Sequence, residues 1–212
     1  MKEPDIIQSE YTKRMHEILD QSWKIFKSQF INKRHEIETE APFQHHLAYI
    51  IRSVGELYSL DKKDLFKVDL EKKVENIRGR KKFFDIACHF EGKINCLIEL
   101  KFKLKRQAAQ DYGRIDAYSD IEALELSTEN GNDFGKFYMI TDDTTYNYKS
   151  VKGVGTIFTM WDGFETEPGK LLNSPSSKGR EHVFITIQNK YKFEWEKIDK
   201  WYFLDLTIDK RS

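Results

Sequence analysis

Cysteine is scarce in this chain, net charge is absent, and no long hydrophobic run occurs. Two cysteines in 212 residues do not make a disulfide scaffold, and with no suitably spaced histidine they do not make a zinc site. Lysine and arginine number 35, as do aspartate and glutamate. A protein that coats nucleic acid without specificity is usually basic, so any nucleic-acid contact here falls to a local patch. The longest uncharged apolar runs are far too short to span a bilayer, which excludes a membrane partner of that kind. The opening MKEPDIIQSE is charged and has no apolar centre, so it does not read as a signal peptide. The expectation is a cytoplasmic protein whose Cys88 and Cys96 are reduced core thiols. No internal repeat, zinc finger, helix-turn-helix signature or long basic tail is present to read a nucleic-acid sequence.

The apolar share of 39% and aromatic share of 14% are enough for a real core, and the length suits one α/β domain spanning residues 1–212. Residues 9–32 carry Met15, Ile18, Leu19, Trp23, Phe26 and Phe30 at helical spacing. Residues 39–59 predict a second helix, with Thr39 as N-cap, Pro42 in the first turn, and Phe43, Leu47, Ile50, Ile51, Val54 and Leu57 as the buried stripe. Residues 65–76 alternate apolar and charged, as a strand with one wet face does. After the central stretch described next, a helix is expected from Arg106 to Leu126, with Gln107 and Gln110 in its first turn, then a buried strand over 135–142. Beyond that lie a strand around Thr156–Met160, a loop at NSPSSKGR (173–180) and two or three closing strands.

The central stretch is Phe83 to Lys101, FFDIACHFEGKINCLIELK. Two apolar runs flank Glu91-Gly92-Lys93, which predicts a hairpin. If the hairpin is symmetric about Gly92, Cys88 faces Cys96 and Asp85 faces Glu99, while Glu99 and Lys101 share a face. Two carboxylates about 5 Å apart at an effective dielectric of about 20 repel by roughly 3 kcal/mol. Like charges directly opposite on a ladder are destabilising. A divalent cation turns that repulsion into attraction, and hard oxygen ligands suit Mg2+ or Mn2+. A solvated charged face would carry the same residues, with Lys101 pairing with either acid.

Asp85, a gap of thirteen residues and then Glu99-Leu100-Lys101 resembles the PD-(D/E)xK signature of the restriction-endonuclease-like nucleases. Phe84 stands where that signature usually has proline. The resemblance covers about half the chain, residues 39–142, and implies an αβββαβ core with a mixed central sheet. An extra N-terminal helix and a β-rich C-terminal tail lie outside it. It implies that Asp85 and Glu99 hold Mg2+ or Mn2+ with the carbonyl of Leu100 as a further ligand, and that Lys101 orients the attacking water or meets the developing charge. It also implies a glutamate from the preceding helix, for which Glu40 is chosen and Glu38 held in reserve. Gln107 does not match the Q-x-x-x-Y spacing of the exonuclease-like branches, because Asp111 stands in the fourth place.

Basic residues crowd both approaches to this stretch: Arg78, Arg80, Lys81 and Lys82 before it, Lys103, Lys105 and Arg106 after it, with Gln107 next in line. Phosphate backbones need such neutralisation. The expected function is a metal-dependent nuclease acting on phosphodiester bonds, with DNA as partner and an endonuclease action. A symmetric duplex substrate would call for a homodimer. The competing expectations are a catalytically inactive nucleic-acid-binding or regulatory protein that keeps the fold, and an aromatic-rich protein-interaction domain.

Overall fold

The computed structural model describes residues 7–210, so the first six residues of the charged opening lie outside the description. Three α-helices flank a mixed six-stranded sheet. In chain order the helices are α1 (Tyr11–Ile31), α2 (Glu40–Leu57) and α3 (Gln110–Glu129). The strands are β1 (Phe66–Ile77), β2 (Arg80–Phe90), β3 (Ile94–Lys103), β4 (Phe134–Thr141), the short β5 (Leu171–Leu172) and β6 (Ile185–Thr186), then β7 (Trp195–Ile198) and β8 (Trp201–Asp209). The sheet runs β1-β2-β3-β4-β8-β7. Among the described residues only β3 and β4 are parallel, and α3 is the crossover between them. From α2 to β4 the order is α, three strands, α, strand, as expected.

Both faces of the sheet are covered. On one, α1 and α2 bury Met15, Leu19, Trp23, Phe26, Phe43, Leu47 and Ile51 against Ile86, Cys88, Ile98 and Leu100. On the other, α3 and the C-terminal segment pack Ile115, Tyr118, Ile121, Phe158 and Phe193 against Phe84, Leu97, Phe137 and Met139. All eight residues of β4 are buried, as a strand covered on both faces requires. Gly55 lets α2 approach β1 closely: a Cβ there would fall 2.1 Å from the Phe66 ring.

The hairpin register is the expected one. Ile86 pairs with Ile98, Cys88 with Cys96 and Phe90 with Ile94, and both cysteines are free and buried. Gly92 has φ +67° in its turn. The turn before β2 is Arg78-Gly79, with φ of +53° and +69°, the backbone of a two-residue primed turn.

Three expectations need correction. The crossover helix begins at Gln110, not Arg106, because residues 105–107 form a 3-10 turn and Ala108 has φ +48°, which ends it. Gln107 is therefore outside the helix, and its amide oxygen accepts from the N–H of Leu104 at 3.0 Å. No strand forms around Thr156–Met160. The carbonyls there are taken by side chains instead: Phe158 by the buried Arg114, Thr159 by the Tyr118 hydroxyl, Met160 by Trp195 Nε1. The third is Leu57, expected in the buried stripe of α2: it is 77% exposed, as the last residue of the helix. The closing strands are the expected ones, β6, β7 and β8, with β8 joining the sheet beside β4. The loop at 173–180 is closed at its base, with Asn173 donating to the carbonyls of Glu181 and Val183 just beyond it. Among the described residues no helix is long and apolar enough to cross a membrane.

Candidate functional site

The acid pair lies where the sheet opens. The β2–β3 ladder stops at Ile86 and Ile98, one step short of Asp85 and Glu99. On the other side of β2, Leu70 pairs with Ile86 and Lys72 with Phe84, but the intervening Glu71–Asp85 pair is missing and Glu71 has φ +50°. Phe84 packs on the α3 side and Ile86 on the α1–α2 side, although strict alternation would place both on one face. The strand is thus broken at Asp85. Gln44 of α2 supplies the missing donor: its Nε2 lies 2.6 Å from the Asp85 carbonyl and 2.8 Å from Glu71 Oε1.

The break frees the Asp85 carboxylate to cross to β3. Its Oδ2 accepts a 2.7 Å hydrogen bond from the N–H of Leu100, and its carboxyl group lies close enough to that of Glu99 for each to act on the other. Burial raises the Asp85 pKa, an effect only partly offset by the Leu100 N–H and Lys101. Glu99 is 2% exposed, and burial, then the charges of Asp120 and Asp85, push its carboxyl well above the usual range.

Lys101 pairs with neither hairpin acid. Its ammonium group contacts Asp120 of α3 and lies 3.2 Å from the Leu100 carbonyl. Lys82 bridges the site: its Nζ is 2.8 Å from Glu99 Oε1 and donates to Asp120 Oδ1 at 2.7 Å. Burial alone would lower both lysines, but the surrounding carboxylates, Asp120 foremost, hold them above their ordinary pKa.

Asp120, only 7% exposed, was not among the expected site residues. Its signal was an acid in the midst of the apolar pattern of α3, between Tyr118 and Ile121. The apolar pattern around it reads as packing alone.

The acid pair fits a hard divalent cation. Two carboxyls raised by burial lie close together and offer hard oxygen, with the Lys82 ammonium 2.8 Å from the buried Glu99 Oε1 as the cation present there. Among the described residues no three His, Cys, Asp or Glu side chains converge as a metal cluster, so a cation here would lean on backbone oxygen and water as well.

Glu40 sits at the start of α2 beside the end of β3. Its Oε1 lies 3.3 Å from the Phe102 N–H and 3.1 Å from Lys103 Nζ, and its charge is among those that raise Lys101. The structure brings Glu40 to the lysine edge of the site. Glu38 is farther out and pairs with Arg106 at 2.9 Å, both exposed.

The basic residues fall into two groups at one end of the hairpin, because β2 begins where β3 ends. Arg78 is held by Glu122 of α3, Lys82 by the site, Lys103 by Glu40 and Arg106 by Glu38. Arg80, Lys81 and Lys105 are exposed. Lys105 donates its backbone N–H to Asp142, whose neighbour Asp143 receives Gln110 and Thr145, so this acid pair ties α3 to β4. The larger cavities, of about 370 and 430 Å³, are lined by the C-terminal segment and the start of α3.

Comparison with family models, curated proteins and solved structures gives no match.

Proposed function

We propose that this chain is a divalent-metal-dependent nuclease with a restriction-endonuclease-like αβββαβ core, hydrolysing phosphodiester bonds and acting as an endonuclease on DNA. The observation that carries the reading is the meeting of the Asp85 and Glu99 carboxyls where the ladder opens, with Lys101 on the face of Glu99. Asp85 and Glu99 would hold Mg2+ or Mn2+, with the Leu100 carbonyl and water as further oxygens, and Glu40, at the lysine edge, would reach the ion through water. A bound ion supplies an acidified water and neutralises charge on the scissile phosphate.

The protein's own groups do the rest. The Leu100 N–H fixes the Asp85 carboxylate. Asp120 holds the Lys101 ammonium, which orients the water or meets the developing negative charge. Arg80, Lys81 and Lys105, exposed beyond the open end of the hairpin, suit a phosphate backbone arriving at the surface. The buried free thiols accord with a cytoplasmic setting, and a two-fold duplex substrate with a homodimer.

The test is cleavage of linear and circular duplex DNA, single-stranded DNA and RNA with Mg2+ or Mn2+, against EDTA and the Asp85→Ala and Lys101→Ala proteins. Cleavage lost in every control supports the reading. Cleavage surviving Asp85→Ala refutes this site. A second reading, an inactive nucleic-acid-binding or regulatory protein with this fold, is favoured by the two lysines that already neutralise the acids. It requires nucleic-acid binding, no cleavage, and function intact in Asp85→Ala.

A further inference from the structure

The two lysines of the site are held differently. Lys101 is enclosed, with a side chain 11% exposed, and its Nζ touches Asp120 and the Leu100 carbonyl. Lys82 stands at the rim, 29% exposed, at the splayed start of β2 beside the exposed Arg80 and Lys81. Its Nζ lies between two carboxylates, 2.7 Å from Asp120 Oδ1 and 2.8 Å from Glu99 Oε1. The stem runs by the face of Phe84, with Nζ 5.6 Å from the ring centroid.

We propose that Lys82 is a resident counter-ion in the place of the divalent cation, and that cation binding moves its ammonium group off Glu99, outward to the phosphate backbone. The inference rests on the nuclease reading and adds to it a coupling between metal loading and phosphate capture. The physical ground is that Lys82 and a cation on Glu99 would be like charges a few ångströms apart in a site shielded from water, where repulsion is strong. Asp120 makes the displacement local, since the ammonium can keep one carboxylate while it leaves the other. The flexible four-carbon stem permits this, and the open rim gives it room.

The test is a calorimetric titration of the full chain with Mn2+, for the wild type, Lys82→Met, and Lys82→Met combined with Asp85→Ala. Removing the resident charge should tighten Mn2+ binding at least about tenfold, and the added Asp85→Ala should abolish it. In the wild type, acetylation of the Lys82 amine, read by mass spectrometry, should rise severalfold on saturation with Mn2+. If the Lys82→Met protein does not fold, the labelling decides alone. Asp85-dependent binding that is no tighter in Lys82→Met, or labelling that does not rise, overturns the inference and leaves the nuclease reading standing. Absence of any Asp85-dependent Mn2+ binding overturns both.

Discussion

The Asp85 carboxylate accepts a hydrogen bond from the backbone N–H of Leu100, so the acid of β2 is fixed by the residue between the glutamate and the lysine of β3. Asparagine at 85 keeps an oxygen for that N–H but loses the charge. Asp85→Asn is expected to lower kcat for cleavage by at least about 10²-fold. In EDTA its melting temperature should equal or exceed that of the wild type, because burial already disfavours the charged form. Mn2+ at about 100 times its Kd should stabilise the wild type by about 2.7 kcal/mol and leave the variant unchanged. Thermal melts with and without Mn2+ read both effects.

Gln44 holds the broken strand at Asp85. Gln44→Ala leaves the half-buried Asp85 carbonyl without its donor, at an expected cost of about 1–3 kcal/mol in urea unfolding. Activity per folded molecule should fall as well, since the same change releases the acid's backbone. Activity unchanged at full folding would show that the break positions nothing.

Glu40 and Lys103 separate a metal role from an ion pair. Glu40→Gln should weaken Mn2+ binding by about tenfold, whereas Lys103→Met should not weaken it. Equal effects from the two changes would reduce Glu40 to a partner of Lys103.

Far from the site, Arg14 and Asp64 form a buried ion pair, and Arg14 also donates to the carbonyls of Gln8, Ser9 and Tyr58. Asp64→Ala leaves a buried guanidinium without its counter-charge and should cost about 3–5 kcal/mol. Cleavage by the remaining folded protein should be unaltered, which chemical denaturation paired with activity measurements would reveal.

Stability should depend on acid through His16, whose ring stacks on Phe134 at 4.3 Å. Burial, then the Lys136 ammonium, lowers its pKa. The unfolded chain therefore binds the proton first as pH falls through about 6.5, and stability drops in that window by at most about 1.4 kcal/mol per pH unit. His16→Phe should flatten the slope of stability against pH between 7 and 5. His46 and His89, lowered in the same direction, should preserve part of it.

The helices, the hairpin and its register were legible because each rests on local periodicity. Cys88 faces Cys96 as the symmetry about Gly92 required. The break at Asp85 was not legible, since Phe84 and Ile86 are both apolar and either face would accept them. Asp120 was hidden for another reason. α3 is covered on several sides, so Arg114, Asp120, Glu122 and Glu125 are all buried, and the helix shows no clean polar face to read against. The stretch around Thr156–Met160 misled because its backbone partners are side chains distant in sequence.

The crossover α3 also sets when the site comes into being. The β2–β3 hairpin brings together two carboxylates, Asp85 and Glu99, and two ammonium groups, Lys82 and Lys101, within one short stretch of chain. In the hairpin by itself the formal charges balance, two against two. Asp120 arrives only when α3 docks and β4 completes the parallel pair, a non-local event that is slow to form. The third acid tips the cluster negative at that moment, so on the nuclease reading the affinity for metal would belong to the finished fold and not to the nascent chain.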